Sequence, residues 1–554
     1  MTAIHLGAVD WIIIILYFVF ILGIGLYLKR FGDREDEFFL AGRRNSSWVA
    51  GIAFVSANLG ALEILGWTGG TVKYGMFVSH FYWIGAIPAM LFLGLYMMPF
   101  YYSSRIHSIP EYLRLRFDEK NRLLNAFSFA VMTVLMSGIN LYLMALTFHL
   151  LIGWDMDASI WVSAGSIAIY ITLGGLLSAI LTEIIQFFLI WFGLFLVSIL
   201  GLVEMGGLNS ILADLPREMS SLWATTADPG MNPMAVTWVP IVLGLGWVLS
   251  FGYWTTDFLL VQRAFTARDL HSARLTPIIA SFFKMALPFI VVVAGLVGWK
   301  LAQTPGTDFV IPQKEDGGLF YDAVLPLLIS RYYPEALLGL GVTALLAGFM
   351  AGQAGNVSAF NTVWTYDIYR ALIKKNASAE HLVWVGRMTT VVGILLSIVT
   401  AYVAMGYQSI MDYIQAIFSW VNAPLFATML LGMFWKRATP DGAFWGLLVG
   451  MVTSFFLFLA LKFGWMDAYW LTFSRVPSDM GANLWRAFWA WAVTLMLTVA
   501  ISLVTKPKKD SELVGLVRGL TGKTDSEKIC WYKRPLLWAA VSLACCVFLN
   551  LYFW

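Results

Sequence analysis

The sequence predicts an all-α integral membrane protein with about fourteen transmembrane helices around a five-plus-five inverted-repeat core. Of its 554 residues, 59% are hydrophobic and 12% charged, against roughly 45–50% and about 25% in an ordinary soluble domain. Apolar runs recur along the whole chain at the length a helix needs, about 20 residues, to cross a hydrocarbon core about 30 Å thick. Two of those runs, five spans apart, are interrupted at mid-span by small and polar residues.

The first span, Trp11 to Leu28, carries no charge. Asp10 stands where a cleavable leader would have a basic region, so the segment reads as a retained helix. Further spans are expected at 48–70, 77–102, 123–152, 158–177, 180–203, 236–261, 275–302, 334–369, 383–405, 410–434, 441–463, 484–505 and 534–553. Lys and Arg favour the cytoplasmic side of membrane helices. Of the 36 here, 27 fall in the loops 29–46, 105–122, 262–274, 370–387, 435–440 and 506–534, and eight lie on the opposite side. Both termini are therefore expected to be extracytoplasmic in a multi-pass protein of the cell membrane. A missed or invented span would scramble this alternation, so it supports the number of helices. The whole chain, 1–554, reads as a single transmembrane domain. It has an extra N-terminal helix at 9–29, a first repeat at 48–205, a second at 236–434 and C-terminal helices at 441–554. The longest polar stretches, about 304–332 and 506–533, hold too little apolar surface to fold alone.

Composition excludes several functions. A net charge of +3 provides no basic face for nucleic acid. Cys530, Cys545 and Cys546 all lie near the C-terminus, without the spacing of a disulfide framework or a zinc site. No nucleophile elbow, phosphate loop or dinucleotide fingerprint has its required context. Neither an enzyme nor an organic cofactor is expected. The expected partners are the lipid bilayer and a small polar solute, and no obligatory protein partner is readable.

The chemistry is expected at the two interruptions. An unwound turn frees backbone carbonyls for ions and exposes half-helix ends to a solute, which is how transporters commonly build a mid-membrane site. The first interruption is Ser56-Ala57-Asn58-Leu59-Gly60-Ala61-Leu62-Glu63. The second runs from Gly244-Leu245-Gly246 through Ser250-Phe251-Gly252-Tyr253-Trp254-Thr255-Thr256-Asp257. Small residues also permit close helix packing, and pattern alone weighs the two readings evenly. An ionisable group deep in a span is costly and so is a functional candidate. Glu63, Asp257, Lys284, Asp412 and Glu183 stand out, with His80 and His149 nearer helix ends. Lys284, within Phe282-Phe283-Lys284-Met285, requires a carboxylate partner, for which Glu63 and Asp257 are the candidates. The pair then either serves a solute or only locks two helices together. Tyr82, Tyr253, Trp254, Lys284 and Gln415 together would supply the aromatic faces and hydrogen-bonding groups a sugar or polyol needs.

Several stretches carry a family resemblance. They are Glu37-Phe38-Phe39-Leu40-Ala41-Gly42-Arg43-Arg44, Ile109-Pro110-Glu111-Tyr112-Leu113 with Arg116-Phe117, and Gly174-Gly175-Leu176 with Thr182-Glu183-Ile184-Ile185-Gln186. Later come Gln262-Arg263, Asp367-Ile368-Tyr369, Tyr413-Ile414-Gln415 and Phe434-Trp435-Lys436. In their order and spacing the chain resembles the solute:sodium symporter family, and within it the bacterial sodium/galactose cotransporter type. The resemblance implies sodium-coupled import of a solute by alternating access through a ten-helix inverted-repeat core. Tyr253, at the inner-gate position, Trp254, Lys284 and Gln415 match the galactose-type site. Glu63 stands where that type has an amide or imidazole, Tyr82 where it has a glutamate, Gly85 where it has a serine and Ser250 where it has an asparagine. The substrate site implied is therefore Glu63, Tyr82, Ser250, Tyr253, Trp254, Lys284 and Gln415. For sodium, the resemblance implies the backbone carbonyls of Ser56, Leu59 and Gly348. The family's two serine hydroxyls fall on Ala351 and Gly352, which have none. Ser56 or water would have to replace them, because a hard cation needs several oxygens. Glu183 takes the place of an aspartate that some members put beside this site. Glu63, Glu183 and Asp257 are the coupling candidates.

Three functions follow from this reading. The first is sodium symport of a sugar or similar polar solute. The second is the same fold without sodium, coupled to protons through Glu63 or working as a uniporter. The third is a solute sensor, which the ending Leu551-Tyr552-Phe553-Trp554 at the membrane disfavours.

Overall fold

The computed structural model describes residues 6–28, 41–314, 317–407, 409–476, 478–520 and 530–554. The stretches 29–40 and 521–529, which include the motif residues Glu37 to Leu40, lie outside the described residues. Among the described residues every regular element is helical, and the only strand-type pairings are two isolated bridges, Asn45 with Ala267 and Gln313 with Leu319. Among the described residues eleven helices are long and apolar enough to cross a membrane, and a bent pair, Ser47–Asn58 and Ala61–Ser79, meets the same test with 58° between its halves.

Helix α1 (Ala8–Leu28) starts beside a buried anchor. Asp10 accepts the amides of Gly7 (2.9 Å), Ala336 (2.8 Å) and Gly339 (2.7 Å). It thus caps the helix beginning at Leu337, whose preceding residue Ala336 is held at φ 72°. Asp10 thereby ties the extra helix to the bundle. Replacing it with alanine removes these acceptors and is expected to lower stability by about 1–2 kcal/mol, measurable as a lower Tm of the detergent-purified protein.

The first broken span follows as α2 (Ser47–Asn58) and α3 (Ala61–Tyr74). Next come α4 (Phe81–Ser103), α5 (Ile109–Arg116) and α6 (Glu119–Ile152). Asp118 caps the start of α6, and Gly153 ends it in the left-handed region at φ 76°. The expected fifth and sixth spans form one helical run, α7 (Met156–Glu204), of 49 residues. The expected seventh is divided into α8 (Pro240–Ser250), wound with i→i+5 hydrogen bonds, α9 (Phe251–Thr256) and α10 (Phe258–Phe265). The remaining α-helices of eight residues or more are α11 (Leu270–Ala286), α12 (Pro288–Gln303), α13 (Val324–Tyr332), α14 (Leu337–Val363), α15 (Ala379–Met405), α16 (Ile410–Phe434), α17 (Pro440–Lys462), α18 (Asp479–Val504) and α19 (Pro535–Tyr552).

Helix α14 lies at the centre, almost wholly buried, and packs on α6 and α7. Its glycines Gly348, Gly352 and Gly355 let the first broken span approach its backbone. Helices α1 and α19 lie at the periphery, where large apolar side chains such as Leu16, Val19, Leu536 and Phe548 face outward, as lipid contact requires.

Candidate functional site

The first break forms because Leu59 (φ −74°, ψ 46°) and Gly60 (φ −72°, ψ 170°) leave the helical region. Gly60 has no capping side chain. Asn140 on α6 serves instead, its Oδ1 accepting the Leu62 amide at 3.3 Å. A Cβ at Gly60 would come within 2.9 Å of that oxygen, so the turn requires glycine. The second break is at Asp257 (φ −74°, ψ 115°), whose carboxylate caps α10 through the Leu259 amide at 2.9 Å.

Between the breaks, Lys284 enters from α11. Of the two candidate carboxylates, Glu63 is its partner: the ammonium contacts both carboxylate oxygens, Oε2 at 2.5 Å, and also the Asn58 side-chain oxygen. It lies 4.9 Å from the Trp254 ring and 5.3 Å from the Tyr82 ring. Both members of the pair are almost fully buried. The strong attraction in a low dielectric and the two flanking rings offset part of a heavy desolvation cost. Asn58 Nδ2 also donates to the Tyr253 hydroxyl (2.8 Å), and the Tyr253 ring stacks on Phe418 at 4.5 Å. One polar chain therefore joins α2, α3, α9 and α11.

Glu63, Tyr82, Ser250, Tyr253, Trp254, Lys284 and Gln415, the seven residues singled out from sequence, all line one cavity here. Its volume is about 50 Å³, room for a few waters at roughly 10–15 Å³ each. The Tyr82 hydroxyl is buried close to Glu63 with no hydrogen bond of ordinary geometry. Gly85 and Ser250 are complementary: a Cβ at 85 would lie 2.2 Å from Ser250 Oγ, so the side chain absent from one helix is supplied by the other. Sequence reasoning did not assign Asn58, Trp67 or Phe418 to the site, although all three line it. Asn58 lay within the interrupted stretch and was the one signal available.

Other sequence candidates lie apart from the cavity. Glu183 on α7 pairs with Arg263 on α10, both side chains fully buried, and Arg263 Nε reaches the carboxylate at 3.3 Å. His80 meets the Leu222 carbonyl at 2.9 Å, and the exposed His149 meets that of Trp154 at 2.8 Å. Asp412, at the start of α16, accepts Lys73 Nζ (2.7 Å) and the Tyr74 hydroxyl (2.9 Å), so the far end of α3 is latched to α16. Beside this latch the loop residue Asp322 is buried. Burial pushes its carboxyl up to about 7, with Lys314 opposing.

At the implied sodium position the Leu59 carbonyl faces Gly348, 3.1 Å from where a Cβ would stand. Ser56 Oγ is buried with no hydrogen-bond partner among the described residues. At Gly352 a Cβ would fall 2.7 Å from the Gly60 Cα and 3.1 Å from Asn140 Nδ2. A serine cannot fit there, because the backbone of the first break occupies the space.

A family model for the sodium:solute symporter family matches residues 38–450. A sodium/glucose cotransporter of Vibrio parahaemolyticus is 26% identical over 495 residues, covering 85% of this chain and 89% of that protein. The sodium/glucose cotransporter 4 of Danio rerio is 27% identical over 540 residues, covering 92% of this chain and 81% of its own length. Among solved structures, a Na+-coupled sialic acid symporter in a substrate-bound outward-open state superposes with a TM-score of 0.74 at 20% identity. That match covers 91% of this chain and 99% of the other and shows a shared fold.

Proposed function

The chain belongs to the sodium:solute symporter family, and on that premise we propose that it imports a neutral sugar or polyol together with sodium through the cavity between its two broken helices. The observation that carries this reading is the Lys284–Glu63 pair set against Trp254 and Tyr82. The two charges cancel, so a charged solute would have to break the pair and leave one partner buried alone, at a cost of about 3–5 kcal/mol. A neutral polyhydroxyl solute can instead insert between ammonium and carboxylate, donating to Glu63 and accepting from Lys284, while the aromatic faces take its C–H surface. The sugar cotransporters among the relatives support the same class.

Sodium, as cargo, is placed at Ser56, Leu59 and Gly348. The unpartnered Ser56 hydroxyl supplies an oxygen that Ala351 and Gly352 lack. Glu63 acts as a substrate ligand, and Glu183 and Asp257 as supports, since each is engaged by Arg263 or by a helix end. The span count is fourteen: the eleven clear helices, the bent pair, the α8–α10 segment and a second crossing in α7. At about 1.5 Å per residue, α7 would reach about 73 Å, more than twice the membrane core. The five-plus-five repeat and the extracytoplasmic termini in the cell membrane remain part of this reading, with the Lys73–Asp412 latch on the outer side.

Gln415→Ala tests the site without disturbing the ion pair. It is expected to weaken sugar binding roughly ten-fold in equilibrium binding to the purified protein. Unchanged affinity would overturn the placement.

A further inference from the structure

One further buried cation, Arg486, is left unexplained by the transport site. Arg486 lies on α18, a helix long and apolar enough to cross the membrane, and is 2% exposed. A buried guanidinium is costly without a carboxylate, and no carboxylate is within ion-pair distance of it among the described residues. Its Nε donates to Ser419 Oγ (2.9 Å), its Nη2 donates to Asn483 Oδ1 (2.8 Å), and Phe458 lies 5.1 Å away. A guanidinium has five N–H donors, so three are left over.

Arg486 lines a cavity of about 290 Å³ between α16, α17 and α18, together with Tyr407, Tyr413, Lys462 and Asp479. Tyr407 lines the same cavity wall as the guanidinium, and its ring stacks on Tyr413 at 3.9 Å. Of the acidic groups on the wall, Asp412 is spent on Lys73 and Tyr74. Asp479 lies two helical turns from Arg486. Against it stand Arg486 and Lys462, leaving the cavity with net positive charge.

We propose that this cavity is an anion site, in which the free donors of Arg486 and the Tyr407 hydroxyl hold one small monovalent anion, a halide or the carboxylate of a small acid. The site is wired to the latch. Asn483, whose oxygen accepts from Arg486, donates through Nδ2 to the Asp412 carbonyl at 2.8 Å, so an anion on Arg486 braces the residue that holds Lys73.

The test uses the detergent-purified full chain at constant sodium and ionic strength, with gluconate replaced stepwise by chloride, bromide or formate. The expected result is a saturable rise in Tm, together with saturable binding of radiolabelled chloride or formate. Arg486→Lys keeps the charge but loses the fork and should bind roughly 10–100-fold more weakly. Arg486→Gln should not respond. Response to chloride and bromide alone assigns a halide, and response to formate alone assigns a carboxylate. The proposal is overturned if the wild-type protein binds neither anion, a result that does not depend on any variant folding. It is equally overturned if Arg486→Gln responds as the wild type does.

Discussion

Lys284→Ala is expected to abolish accumulation of the sugar and to destabilise the protein by about 3–5 kcal/mol, because it leaves the Glu63 carboxylate buried without a counter-charge. Lys284 touches both Glu63 oxygens, the Asn58 side-chain oxygen and two ring faces, so one truncation removes contacts from four helices. Stability and function separate in the double variant Lys284→Met with Glu63→Gln. It has no buried charge and should recover most of the lost Tm, yet it should remain inactive, since a solute then loses both its ionic donor and its ionic acceptor. Sugar uptake by Lys284→Ala at the wild-type rate would rule out this role. Inactivity of the single variant with recovered uptake in the double would mean that the pair only locks helices.

The second large effect is expected at Arg263–Glu183, a fully buried pair joining α10 to α7. Arg263 Nη1 also donates to the Leu259 carbonyl at 2.9 Å and to Gln262 Oε1 at 3.2 Å. Removing either charge alone, as Arg263→Met or Glu183→Leu, should cost about 3–5 kcal/mol, whereas the joint replacement should be far milder. If Glu183 is a support, the joint variant retains the dependence of uptake on sodium concentration. A shifted sodium dependence in a well-folded joint variant would instead make Glu183 a coupling residue.

These two pairs also show how far the sequence could be read. Lys284 announced itself as a charge in an apolar run, and its need for a carboxylate followed from the cost of burial. Which carboxylate it meets depends on the rotation of α3 and α9 about their axes, and no pattern in the chain encodes that. Glu183 was visible for the same reason as Lys284, but its partner Arg263 sat in a stretch that read as a basic loop. Asn58 and Asn140 carry no charge and so raise no alarm in a span, yet one joins Lys284 to Tyr253 and the other closes the first break. The exchange of volume between Gly85 and Ser250, and the contact of Gly60 with Gly352 that leaves no room for a serine, depend on distances across the bundle. The all-helical, membrane-spanning class was legible from hydropathy because each crossing must satisfy its own backbone. The continuity of α7 was not, since length alone does not say where a helical run turns.

Ser56 bears on the central claim, sodium-coupled import through this cavity, and the direct test is accumulation into proteoliposomes under a sodium gradient or a proton gradient imposed separately. Neutral hexoses, polyols, sugar acids and amino acids would be offered to the wild-type protein and to Ser56→Ala. The account predicts accumulation of a neutral sugar or polyol driven by sodium alone, with roughly ten-fold weaker sodium dependence in Ser56→Ala. Accumulation driven only by protons, mere equilibration, or preference for a charged solute would contradict it.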